Sequence, residues 1–231
     1  MITFDHVTKR YPNGREALSG LTFRIGTGEM VFLTGRSGAG KSTVLKLIAL
    51  IERPTRGTVI VAGRNLGSLP ARQVAAHRRS IGVVFQDHRL LADRPVYDNV
   101  ALPLMVSGSP LKETDKRVRA ALDQVGLLGK ERMLPVELSV GEQQRVGIAR
   151  AVVSKPSLLI CDEPTGNLDP DLAVEVMRLL KRFQDVGVTV VVATHDVHVV
   201  QGFGQRTLVL EQGRLTSGAQ DESLPSMVAS R

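Results

Sequence analysis

Tryptophan is absent, cysteine occurs once, and aromatic residues make up only 3% of the 231 positions. The lone Cys161 excludes an intrachain disulfide and any multi-cysteine metal cluster, and it suits a reducing compartment. Its place in the apolar run Leu158-Leu159-Ile160-Cys161 marks it as a small core residue. Surfaces dedicated to nucleic acid interleave rings with basic side chains to stack bases. With so few rings, direct nucleic-acid binding is not expected, and the net charge of +7 and pI near 10.0 point first to an anionic membrane surface. No run of 18 apolar residues occurs, and stretches such as Val188 to Ala193 are strand-sized, so any membrane role is expected to come from a partner. Met1-Ile2-Thr3-Phe4-Asp5 shows no basic segment leading into an apolar run, and cytoplasmic residence is the expectation.

What is present is a hydrophobic content of 42%, enough for a sizeable core in one domain, expected over residues 1–218. Beyond it a loosely held tail is expected at 219–231, where Ser, Ala, Gln, Asp and Glu dominate. Ile2 to Val7, Leu21 to Ile25 and Thr58 to Ala62 alternate in polarity between glycines and predict an N-terminal antiparallel β-subdomain. Val31 to Thr34, Val83 to Phe85, Leu158 to Cys161 and Val188 to Ala193 are unbroken apolar runs, as in strands covered on both faces of a mainly parallel sheet. Between them the spacing of Val118, Ala121, Leu122 and Val125 predicts an α-helical subdomain inserted over 86–156. Val176, Leu179, Leu180 and Phe183 predict another helix that stops at Gly187. The fold class is therefore α/β.

Three motifs carry chemistry. Gly35-Arg36-Ser37-Gly38-Ala39-Gly40-Lys41-Ser42 follows an apolar strand and opens the helical run Thr43 to Leu50, the context a phosphate-binding loop requires. Its backbone N–H groups can turn onto a β-phosphate at a helix N-terminus, Lys41 can neutralise β/γ oxygens, and Ser42 can offer a hydroxyl to Mg²⁺. Asp162 and Glu163 end the strand Leu158 to Cys161: the first is suited to hold Mg²⁺ through water, the second to polarise an attacking water, which implies hydrolysis. Leu138-Ser139-Val140-Gly141-Glu142-Gln143-Gln144-Arg145 opens a further helix, with Ser139 and Glu142 spaced as a capping box.

In this order, together with Thr194-His195-Asp196, these motifs resemble the ABC ATPase family over residues 1 to about 216. The resemblance implies a P-loop NTPase core, ATP and Mg²⁺ as ligands, and a homodimer formed on ATP binding. Ser139 and Gly141 would then act in trans on the partner's γ-phosphate, and Asn167-Leu168-Asp169 would cross the dimer axis. It further implies that Tyr11 stacks on adenine, that Gln86 links the metal site to the helical subdomain, and that His195 contacts the γ-phosphate. Nucleotide binding would thus involve Tyr11, residues 35–43 from Gly35 through Thr43, Ser139, Gly141 and Asp169. Metal binding would fall to Ser42, Gln86 and Asp162, and turnover to Lys41, Gln86, Glu163 and His195. The family usually has Gly at Val140, and a β-branched residue would resist positive φ there.

Val84 to Leu104 and Gly147 to Val153 closely resemble the cell-division branch of the family. That implies an FtsX-like membrane partner at the inner membrane and control of peptidoglycan hydrolases during division. Lipoprotein-releasing and macrolide-exporting relatives stay in contention, and separation rests mainly on Asp87-His88-Arg89-Leu90-Leu91. The basic balance also motivates a soluble ATPase acting on DNA or ribosomes, but the 53 residues from Gln86 to Leu138 leave no room for a second cassette or a long inserted arm. Leu90, Leu91, Val96 and Tyr97 are expected either to form a docking groove or to pack as a local helical core.

Overall fold

A computed structural model describes residues 1–218, and the tail expected at 219–231 lies outside the described residues. β1 (Ile2–Arg10) and β2 (Glu16–Ile25) pair antiparallel, and β4 (Arg56–Val61) and the short β5 (Arg64–Asn65) extend them into a sheet ordered β2-β1-β4-β5. The second sheet holds β3 (Met30–Thr34), β6 (Ile81–Val84), β7 (Leu158–Asp162), β8 (Thr189–Ala193), β9 (Arg206–Glu211) and β10 (Arg214–Ser217) in the order β10-β9-β3-β8-β7-β6. All its pairings are parallel except that of β9 with β10.

The central strands are apolar throughout because both faces are covered. Met30, Phe32, Leu159, Cys161, Val190 and Val192 enter one core with α3 (Val96–Val106), α4 (Leu111–Gln124), α5 (Val140–Val152) and α6 (Pro170–Asp185). Val31, Leu33, Leu158, Ile160, Val191 and Ala193 alternate with them into a second core shared with the N-terminal sheet and α1 (Lys41–Ile48). Three packed layers result, and alternation along each strand decides which core a residue joins. Since β3, β8, β7 and β6 are adjacent and parallel, the segments after Thr34, Ala193, Asp162 and Val84 all emerge at one edge, where open α/β sheets bind ligands.

Several boundaries differ from expectation. β6 runs from Ile81 to Val84, so Phe85 lies beyond the strand rather than closing it, and its ring packs under the Arg89 guanidinium, 4.3 Å away. Sequence patterning did not anticipate β9, β10, α2 (Ala71–Arg79) or α7 (Val197–Phe203). Arg and His dominate α2, and its one fully buried residue is His77, so it has no apolar stripe to read. Within the insert, Val96 is fully buried and Leu90 and Tyr97 pack against the helical core, so these three form core rather than a groove, while Leu91 stays exposed.

His77 bonds through Nε2 to the Ile48 carbonyl at 2.9 Å, satisfying the C-terminus of α1 beneath the phosphate loop. Burial, the largest cause, lowers its pKa below the ordinary imidazole range. The unfolded chain therefore binds the proton first. Stability from the neutral ring is present above about pH 6.5 and falls as pH drops below it towards the lowered folded value. Urea midpoints measured between pH 8 and 5.5 should fall towards acid, with a smaller fall in His77→Gln; equal falls would remove His77 as a cause.

Candidate functional site

The loop after β3 enters α1 through Gly40, which caps the helix at φ +113° with no side-chain cap, and the first turn contains no acid. The N-terminal N–H groups of α1 thus face the cleft without a side chain to satisfy them, as an anion site requires. A Cβ at Gly40 would lie 2.9 Å from the Ala17 carbonyl, and its φ is one that side chains rarely adopt. Gly40→Ala should cost about 1–3 kcal/mol of strain and weaken ATP binding about 5- to 150-fold, as titration with a fluorescent ATP analogue would measure; unchanged affinity would mean the loop tolerates the side chain.

The cleft, about 670 Å³, is lined by Tyr11, residues 36–43, Gln86, Asp162, Glu163 and His195. Gly35, expected in the site, does not line the cleft, but its carbonyl accepts from Lys41 Nζ at 2.8 Å. Lys41 Nζ also stands 3.7 Å from Glu163 Oε1, both side chains nearly buried. On the other side, His195 Nδ1 is 3.0 Å from the same carboxylate oxygen, and the His195 backbone N–H donates to Glu163 Oε2 at 3.3 Å. Glu163 itself has φ 48°, and its N–H donates to the Ala193 carbonyl. A left-handed glutamate is costly, and such strain persists only where surrounding structure over-determines it. Here β7, β8 and the cation beside it hold the carboxylate at the mouth of the cleft.

Ser42 Oγ donates to Asp162 Oδ1 at 3.2 Å. Burial raises the Asp162 pKa, only partly offset by the Ser42 hydroxyl, so this carboxylate lacks full compensation in the protein alone. A hydroxyl, a carboxylate and the Gln86 amide form an all-oxygen-capable donor set suited to a hard cation. Among the described residues no group of three or more His, Cys, Asp or Glu is arranged to hold an ion. Few protein ligands, with phosphate oxygens completing the shell, is how Mg²⁺ is usually held, and the residues fit that ion. At the other end, Tyr11 OH lies 3.3 Å from Thr43 Oγ1, and Lys9 Nζ sits 5.1 Å from the Tyr11 ring centroid. Arg15 and Lys46 also line the cleft and were not read from the sequence. The only signal for them was proximity, Arg15 ending the turn after Tyr11 and Lys46 lying just over one helical turn beyond Lys41.

Ser139, Gly141 and Asp169 do not line this cleft. Ser139 caps α5 in a reciprocal box, accepting from Glu142 N–H at 3.3 Å while its own N–H donates to Glu142 Oε2 at 3.0 Å. The Lys130 ammonium, foremost, and the Ser139 N–H hold the Glu142 pKa below the carboxylate range. Asp169 caps α6 through Leu172 N–H at 3.0 Å, and Leu172 lies against Gly141, so the two helix N-termini stand side by side. Val140 is the first helical residue of α5 and is not among the positive-φ residues, so a β-branched side chain is no obstacle to this backbone; it is half-exposed.

The ABC transporter family profile matches residues 18–166. The cell division ATP-binding protein FtsE of Escherichia coli is 54% identical over 222 residues, covering 96% of this chain and all of that protein. The FtsE proteins of Mycobacterium tuberculosis and Bacillus subtilis are 49% and 45% identical, each match covering at least 95% of both chains. Among solved structures, the dimeric ABC transporter cassette MJ0796 superposes with a TM-score of 0.86 at 35% identity, covering 97% of this chain and all of that one. A dimeric post-hydrolysis state of that cassette, bound to ADP and Pi, matches equally well at 34% identity. With a profile match over more than half its length and full-length relatives well above 30% identity, the chain belongs to the ABC transporter ATPase family.

Proposed function

We propose that this chain is the ATP-hydrolysing subunit of a cell-division ABC complex, bound at the cytoplasmic face of the inner membrane to an FtsX-like membrane protein and controlling peptidoglycan hydrolysis through ATP-driven dimer closure. The observation that carries the hydrolytic part is Glu163, fixed between Lys41 and His195 at the end of β7, beside Ser42 and Asp162. The phosphate loop from Gly35 to Thr43 would hold the triphosphate and Tyr11 the adenine. Ser42 and Asp162, with Gln86, would hold Mg²⁺, which when bound neutralises charge on the β- and γ-phosphates. Glu163 would take a proton from water as its oxygen attacks the γ-phosphorus and the bond to the β-phosphate oxygen breaks, giving ADP and phosphate. His195 would donate to γ-phosphate oxygens and hold the carboxylate in place.

Dimerisation is supported by the absence of Ser139, Gly141 and Asp169 from their own cleft, side by side on another surface, and by the dimeric cassettes the fold resembles. The division role is supported by full-length similarity to FtsE proteins from distant bacteria. No helix among the described residues is long and apolar enough to cross a membrane, so membrane engagement would run through a partner. The helical insert over 86–156, in our reading the subdomain that meets this partner, borders a groove of about 540 Å³ walled by Phe85, Leu102, Pro103 and Val106 and rimmed by arginines. Tagged Glu163→Gln protein, loaded with ATP and captured from gently solubilised native membranes, should bring down a membrane protein with an extracytoplasmic loop and wall-hydrolase components. Lipoprotein carriers or an efflux adaptor would instead move the chain to the exporters. Light scattering of the same variant should show a doubled mass with ATP, and an unchanged mass would count against closure.

A further inference from the structure

Between β6 and α3 the chain makes a turn that ordinary residues avoid. His88 and Arg89 are consecutive and both left-handed, at φ 55° and 48°, and neither is glycine. Such a pair holds only where outside contacts pay its strain. One end is fixed by fully buried Asn99, whose Oδ1 accepts from Leu91 N–H at 2.7 Å and whose Nδ2 donates to the Leu91 carbonyl at 3.1 Å. At the strained pair itself, Arg89 reaches only its own turn, bonding the Asp87 carboxylate and covering the Phe85 ring, whereas Arg150 of α5 ties the turn to a helix, donating from Nη1 to the Arg89 carbonyl at 2.7 Å and from Nη2 to the His88 carbonyl. A planar fork carries two donors in fixed geometry, which lysine cannot match. The helix can come this close because β6 has Gly82, where an added Cβ would lie 2.5 Å from the Ala151 carbonyl. Across the same joint, His88 Nδ1 and, on α5, Gln144 Nε2 are buried without hydrogen-bond partners.

We infer that Arg150 is a positioning residue for ATP hydrolysis: its fork holds His88 and Arg89 in the left-handed turn and thereby places Gln86, two residues upstream, in the nucleotide cleft. The clamp ties the helix that begins at Ser139 to the cleft, so movement of α5 on dimer closure is felt at Gln86. This rests on the reading of Gln86 as a nucleotide-site residue. Lys41 and the phosphate loop are untouched by the clamp, so turnover and affinity should separate.

The test is a double-mutant cycle on steady-state ATP turnover of the full chain, using Gln86→Ala, Arg150→Met and their combination. Arg150→Met should lower kcat about tenfold and leave KM within about twofold. In the Gln86→Ala background it should cost nothing further, because its route of action is already gone. Unchanged kcat in Arg150→Met, or the same loss in both backgrounds, would overturn the clamp while leaving the role of Gln86 standing. Unchanged turnover in Gln86→Ala would instead overturn the reading beneath it. Should Arg150→Met not fold, Arg150→Lys, which keeps the charge and loses the fork, is put through the same cycle with the same expected split and the same overturning results.

Discussion

Replacing Glu163 by Gln should lower ATP turnover about 10²- to 10⁴-fold while leaving ATP binding at least as tight. The two shapes are nearly the same, so β7, β8 and the left-handed backbone at residue 163 have no reason to move. What changes is basicity, because an amide cannot take the proton that water must lose. Binding should not suffer, because the carboxylate standing 3.7 Å from Lys41 competes with phosphate for that ammonium, and the neutral amide releases it. The contact to His195 at 3.0 Å survives only if the ring presents the matching proton, so some loss of alignment adds to loss of basicity. Single-turnover hydrolysis alongside equilibrium ATP binding separates the effects. Turnover within a few-fold of the parent would remove Glu163 as the base.

The chemistry of this chain was more legible than its architecture, and the reason is physical. A phosphate loop needs glycines, a lysine and a hydroxyl at consecutive positions, so Gly35 to Ser42 could be read locally, and β7 placed Asp162 beside Ser42 as its apolar run implied. The apolar runs of β3, β6, β7 and β8 were legible because burial on both faces leaves almost no polar residue to interrupt them. β10 lies at the sheet edge with no buried residue, β9 beside it fully buries only Leu208 and Leu210, and α2 is held by His77 and Arg78 reaching the Ile48 and Leu50 carbonyls, contacts that no periodicity announces. Groove and core could not be told apart in the sequence after Gln86 for a related reason. Leu90, Val96 and Tyr97 look like a patch in sequence, but the helices fold over them, while Leu102 and Val106 are carried outward by α3. Arg150 reads as an ordinary helix cation until its two carbonyl partners, 61 and 62 residues away in sequence, are known.

Lys41→Met should weaken ATP binding about 10- to 150-fold, since a charge-assisted hydrogen bond to phosphate contributes about 1.5–3 kcal/mol. It should also lower stability without nucleotide. Methionine fills much of the space of the lysine stem, so packing is nearly conserved, and the loss is electrostatic: the Gly35 carbonyl loses its donor, and Glu163, nearly buried, loses the cation beside it. Removing Lys41 leaves Glu163 with the His195 contacts alone to offset its charge, which is why the second substitution is informative. In Lys41→Met/Glu163→Gln the stranded charge is gone, and the thermal midpoint should return most of the way to the parent value. ATP affinity should not return, because nothing replaces the ammonium at the phosphates. If affinity recovered together with stability, the lysine would be serving the loop rather than the nucleotide, and the anion site would have to rest on the backbone N–H groups of α1 alone.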